Sequence, residues 1–124
     1  MTPFFYDAAI EQYQFSESHP LKPQRLVLLR ALMEAYGLTA HLDWQTPPDI
    51  DEAELRRVHT PEYIEVVRQL SAGAPIMDAH RWGFSPYGDN PPFVGMWDAA
   101  LSYTRATVAA AYAVRDGAPL AINI

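Results

Sequence analysis

The side chains able to do chemistry are scattered. Four histidines, His19, His41, His59 and His80, are the natural candidates for metal binding or proton transfer. A metal site needs three or four ligands, and none of these histidines is spaced as a His-x-x-x-His pair on one helix face. Structural roles are favoured. His59, just before Thr60, reads as a partly buried histidine bonded to backbone, whereas His19 beside Pro20 sits at a fixed turn of the kind that can face a crevice. Asp49, Asp51, Glu52 and Glu54 cluster at a helix start, where capping and the helix dipole explain them without catalysis. Asp89-Asn90 reads as a turn closed by side-chain hydrogen bonds to backbone. Ser102, Thr104 and Thr107 fall within a helix with no base beside them in sequence, and a nucleophile would need one. Gly83, Gly88 and Gly95 do not form a phosphate cradle after a strand. Asp98, Arg105 and Arg115 read as the wet side of a long helix. Chemistry alone assigns no catalytic residue and no metal ligand.

The composition narrows the function classes. A chain of 124 residues, 49% hydrophobic, suits one domain or one piece of a larger one. With 9 Lys+Arg against 15 Asp+Glu and a formal charge of −6, the dispersed basic residues give no stripe for nucleic acid. Zero cysteines remove disulfides, thiolate zinc sites and cysteine nucleophiles. The longest charge-free helical stretch, Ala106 to Val114, is too short to span a bilayer, and no export signal opens the chain. A soluble, cytoplasmic protein without membrane or nucleic-acid partners is expected.

The elements that must position these groups alternate in type. Pro3 to Tyr6 reads as a strand, followed from Asp7 by a polar loop through Ser18. Gln24 to Tyr36 reads as a helix, apolar on more than one side and therefore expected to be buried there, with Gly37 as its stop. A second strand is expected around His41 to Trp44. Asp51 and Glu54 have capping-box spacing for a short helix through Val58, and Thr60-Pro61 starts another on which Tyr63, Val67 and Leu70 share a face. Residues 71 to 92, rich in Gly and Pro, read as a long loop without a period, and Trp82, Phe84 and Tyr87 favour a binding loop or lid over a pure linker. Phe93 to Arg115 reads as a long helix ended by Gly117, and Ala118 to Ile124 as a buried parallel strand. Such alternation predicts an α/β layer with a partial parallel sheet of about three strands and flanking helices.

Taken in order, several segments resemble the N-terminal third of the histone deacetylase family, of the arginase/deacetylase superfamily, and in particular its bacterial acetoin-utilisation branch. They are Phe5-Tyr6-Asp7, His19-Pro20-Leu21-Lys22-Pro23-Gln24-Arg25-Leu26, Glu34-Ala35-Tyr36-Gly37-Leu38, Arg57-Val58-His59-Thr60-Pro61-Glu62-Tyr63-Ile64, Gly88-Asp89-Asn90-Pro91 and Leu120-Ala121-Ile122-Asn123-Ile124. No single motif is diagnostic; the co-linear set is. The resemblance implies the N-terminal part of an arginase/deacetylase-type fold and a zinc-dependent hydrolase acting on acetylated amines or lysines. In that family a Gly-Gly-x-His-His-Ala motif, the Asp/His/Asp zinc ligands and a transition-state Tyr lie beyond the strand that Leu120 to Ile124 matches. The expectation is therefore a portion, residues 1–124, that lacks those groups, holds no zinc and is inactive alone.

The resemblance also assigns supporting residues. Asp89 matches the rim Asp that holds substrate backbone, His19 and Pro20 match the loop bordering the substrate tunnel, and Arg25 matches the Arg beside an internal channel, where a guanidinium suits a departing carboxylate such as acetate. Asn90 departs from the family's usual Cys, and residues 74 to 87 have their own sequence. A terminal strand without its further partner is expected to be an exposed edge that invites self-association. The reading set against all this is a non-catalytic domain that binds a ligand or partner through the 71–92 loop.

Overall fold

The computed structural model describes residues 1–124. Three parallel strands, β1 (Thr2–Phe5), β2 (Leu42–Gln45) and β3 (Ile122–Asn123), form one sheet in the order β2-β1-β3. Phe4 lies opposite both Trp44 and Ile122, so β1 is central and β3 is an edge. Successive strand residues point to opposite faces, and here both faces are covered. Phe4, 1% exposed, packs on one side with Tyr6, Ile10 and Leu26, against Trp44 and Ile122. Phe5 packs on the other against Ala106, Ala109 and Ala110. These three alanines belong to α4 (Met96–Arg115) and let that helix lie close to the strand.

Leu26 and Met33 of α1 (Gln24–Ala35) cover the Phe4 side, but most of that helix is not buried. Leu28 is 61% exposed, and Val27, Leu29, Leu32 and Tyr36 are exposed as well. The expectation of a helix buried on more than one side is corrected: only the edge carrying Leu26 and Met33 meets the sheet. Gly37 ends α1 as expected, at a φ of 69° that suits glycine.

The helix from Asp51 is shorter than expected. The helix α2 (Glu52–Leu55) stops three residues before Val58, because Thr60 precedes Pro61 and is held extended, at φ −72° and ψ 152°. Thr60 then caps α3 (Pro61–Ser71), its Oγ1 accepting from the Tyr63 N–H at 3.3 Å. The polar loop after β1 contains a 3₁₀ turn, Ala8–Gln12, started by Asp7, whose carboxylate accepts from the Ala9 N–H at 3.0 Å. Further 3₁₀ turns follow α1 at Leu38–His41 and break the 71–92 loop at Ala79–Trp82. The long helix begins at Met96 rather than Phe93, since Gly95 takes a φ of 87° that a helix cannot continue. Ser71 fastens this start to the end of α3: its carbonyl accepts from Gly95 N–H at 3.1 Å and its hydroxyl from Trp97 N–H at 3.0 Å.

The last strand is also shorter and less buried than Ala118 to Ile124 promised. Only Ile122 and Asn123 pair, with Phe4 and Phe5; in the same register Ala121 would lie opposite Pro3, which has no N–H to donate. Both paired residues are half-buried. No helix is long and apolar enough to cross a membrane.

Candidate functional site

His19 and Asp89 are 70 positions apart in sequence and meet in the structure. His19 Nε2 lies 3.2 Å from the Asp89 carbonyl oxygen, which can only accept, so the ring donates there. The other ring nitrogen, Nδ1, accepts from the Leu21 N–H at 3.1 Å. Both bonds together select the tautomer protonated on Nε2. Phe15 lies tilted against the His19 ring, centroids 4.4 Å apart, and meets Phe93 edge-on at 5.3 Å, which clamps the first loop onto the segment leading into α4. Pro20 is exposed beside this strap.

Asp89 itself is exposed, and its carboxylate makes no hydrogen bond within the chain. The turn reading holds for its neighbours: Ser85 N–H donates to the Asn90 carbonyl at 3.2 Å, and the Asn90 amide donates to the Gly83 carbonyl at 3.3 Å. Asp89 is thus presented by a closed loop with its acceptor oxygens uncommitted. Arg25, on the first turn of α1, is exposed, unpaired with any carboxylate, and lines a cavity of about 470 Å³. Tyr13, Phe15, Asn90 and Phe93 line the same cavity, so the segments carrying His19, Asp89 and Arg25 converge there.

His59 is not the partly buried, backbone-bonded ring expected of it. It is exposed, stacks on Tyr63 with centroids 4.9 Å apart, and borders the same cavity. The helix break before Pro61 turns it outward. No three His, Asp or Glu side chains gather in a way that could hold a metal ion. The residues present do not fit a zinc site.

Arg105 was expected on the wet side of the long helix and is instead largely buried. It pairs with Asp7, and its Nη1 donates to Asp49 Oδ1 at 2.7 Å, while Nε is buried without a partner. Burial opposes ionisation of Asp7, but the Ala9 N–H, the Arg105 guanidinium and the Ser102 hydroxyl outweigh it and hold the carboxyl below its ordinary range. Bonding to Asp7 raises the Arg105 guanidinium against the cost of its own burial, with Asp49 adding to the same effect. Helical position 105 alone could not reveal this pair, because its partner comes from the end of β1. The acidic cluster is likewise more than a cap: Asp51 caps α2, but Glu52 binds Arg56 and Arg68, and Glu54 binds Arg57 and Tyr112.

A parallel sheet covered on both faces, with loops from distant parts of the chain drawn to one cavity, defines an α/β domain. The model of the histone deacetylase domain matches residues 19–123, and the chain belongs to the histone deacetylase family. It is 33% identical over 118 residues to the acetoin utilization protein AcuC of Bacillus subtilis, covering 94% of this chain and 30% of that protein. It is 29% identical over 124 residues to histone deacetylase 6 of Arabidopsis thaliana, covering 97% and 26% respectively. With histone deacetylase clr6 of Schizosaccharomyces pombe the identity is 29% over 122 residues, covering 97% and 30%. The chain therefore spans about a quarter to a third of the length of these relatives.

Proposed function

We propose that residues 1–124 are the N-terminal portion of a zinc-dependent acyl-amide hydrolase domain acting on acetylated amines or lysines, and that this portion is inactive alone. In this reading the 71–92 loop is part of the substrate rim, Asp89 holds substrate backbone, His19 and Pro20 border the tunnel, and Arg25 serves a channel for the released carboxylate. The zinc and the histidine pair belong to residues beyond those matched here. One observation carries the reading: the family match runs through both loops that the His19 to Asp89 hydrogen bond joins, leaving the Asp89 carboxylate free for an outside donor.

Elemental analysis and a fluorogenic acetyl-lysine assay test the chain as it stands, with neither stoichiometric zinc nor turnover expected. Chelator-sensitive turnover by these 124 residues would sink the proposal. In a longer protein that carries this segment and turns over, Asp89→Ala should lower kcat/KM by roughly tenfold to a hundredfold, the value of a charge-assisted hydrogen bond of about 1.5–3 kcal/mol, with zinc content unchanged.

A second copy of the chain is the partner this reading supplies. The short strand β3 pairs only with β1, so its outer N–H and C=O groups are open to pairing with another chain. Light scattering across a dilution series should show mass rising with concentration; a monodisperse monomer at high concentration would remove self-association from the proposal.

A further inference from the structure

The loop that presents Asp89 is closed mainly on itself. Ser85 N–H donates to the Asn90 carbonyl, Gly88 N–H to the Ser85 carbonyl at 3.2 Å, Tyr87 N–H to the Ser85 hydroxyl at 3.3 Å, and the Asn90 amide to the Gly83 carbonyl. Its ends are anchored by Phe84, which is buried, and by Phe93, which meets Phe15. Between them, residues 85–90 make one hydrogen bond to any residue outside 83–90, and it comes from the His19 ring to the Asp89 carbonyl. The mount on the other side is well fixed. His19 N–H donates to the carbonyl and the hydroxyl of Ser16, at 3.3 and 3.1 Å, Leu21 N–H holds Nδ1, and the Lys22 ammonium reaches the Ser16 and Glu17 carbonyls.

We propose that His19 is a positioning residue: its Nε2–H, donated to the Asp89 carbonyl, fixes the rim loop where the Asp89 carboxylate meets substrate. The inference rests on the reading of Asp89 as a substrate-binding group and adds how that group is held. His19 acts here through the Asp89 backbone and not on the substrate. The arrangement asks for a donor at Nε2 and an acceptor at Nδ1, and a neutral imidazole supplies both at once. Glutamine reaches as far as Nε2 with an amide donor but leaves Leu21 N–H unanswered; asparagine answers Leu21 with its amide oxygen but is too short to reach Asp89. The two substitutions therefore separate the tie to Asp89 from the local turn.

Nitrogen-15 relaxation on the 124-residue chain reads the tie directly. His19→Ala and His19→Asn should release residues 85–90, their backbone order parameters falling from about 0.85 to below about 0.6, while His19→Gln keeps the loop ordered and β1 and β2 are unchanged in all three. In a longer protein that carries this segment and turns over, His19→Ala and His19→Asn should lower kcat/KM by about three- to tenfold, the worth of one hydrogen bond between neutral groups, with His19→Gln near wild type and zinc content unchanged. In the Asp89→Ala background the same substitutions should cost nothing further, because the group they position is gone. If Asp89→Ala leaves kcat/KM unchanged, the substrate-binding reading and this inference fall together. If Asp89→Ala lowers it and His19→Ala lowers it again by an independent factor, the inference alone falls. An 85–90 loop that stays ordered in His19→Ala, or one that asparagine restores and glutamine does not, would overturn it as well.

Discussion

Replacing Arg105 by Ala should lower the unfolding free energy at neutral pH by about 2–3 kcal/mol. Breaking a fully buried pair costs about 3–5 kcal/mol, because the remaining charge is stranded. Asp7 is only 8% exposed, whereas Arg105 keeps 23% of its side-chain surface in solvent, which softens the penalty. The loss should depend on pH in one direction. A carboxyl held below its ordinary value contributes stability that is fully present above about 4 and disappears as pH falls through the lower folded-state value. The gap between wild type and Arg105→Ala should therefore be widest at neutral pH and narrow progressively below pH of about 4. Urea unfolding at a series of pH values measures it. A gap that stays constant, or widens in acid, would mean that Asp7 does not depend on Arg105. A cycle with Asp7→Ala and the double variant should show strong non-additivity, as expected of side chains in direct contact.

Phe4→Ala should cost more, about 3–5 kcal/mol, the range for a fully buried aromatic ring replaced by a methyl group. Phe4 is the hub of the sheet: its ring lies 4.3 Å from that of Trp44 and 6.1 Å from that of Tyr6, and its strand partners are Trp44 on one side and Ile122 on the other. A chain of this size has only a small margin of stability, so the variant should be largely unfolded at 37 °C. Thermal melts followed by circular dichroism decide the matter. A loss of less than about 1 kcal/mol would show that β1 is not the element on which the others assemble.

Local rules written in the sequence were reliable where the structure is local. Thr60-Pro61 and Asp51 start helices through caps that need only neighbouring residues, Gly37 ends one through its own backbone freedom, and the alternation of strand and helix leads to a parallel sheet. The co-linear motifs identified the family for the same reason: they are read in order, without knowing what touches what. Boundaries shifted where a neighbour intervened, as when Pro61 cut α2 short and Gly95 delayed α4.

Burial and contact were decided only by tertiary structure. The apolar residues of α1 predict burial on several sides, yet how many sides are covered depends on what packs there, and here one edge of the helix meets the sheet. Arg105 looks solvated by helical spacing because its partner, Asp7, is 98 positions away on another element. The candidate site follows the same division. Sequence alone determined that His19, Pro20, Arg25 and Asp89 are residues of suitable type in suitable motifs. Only the fold brought the His19 ring to the Asp89 carbonyl and set Arg25, without an acidic partner, on one apolar cavity, because long-range packing fixes which side chains meet.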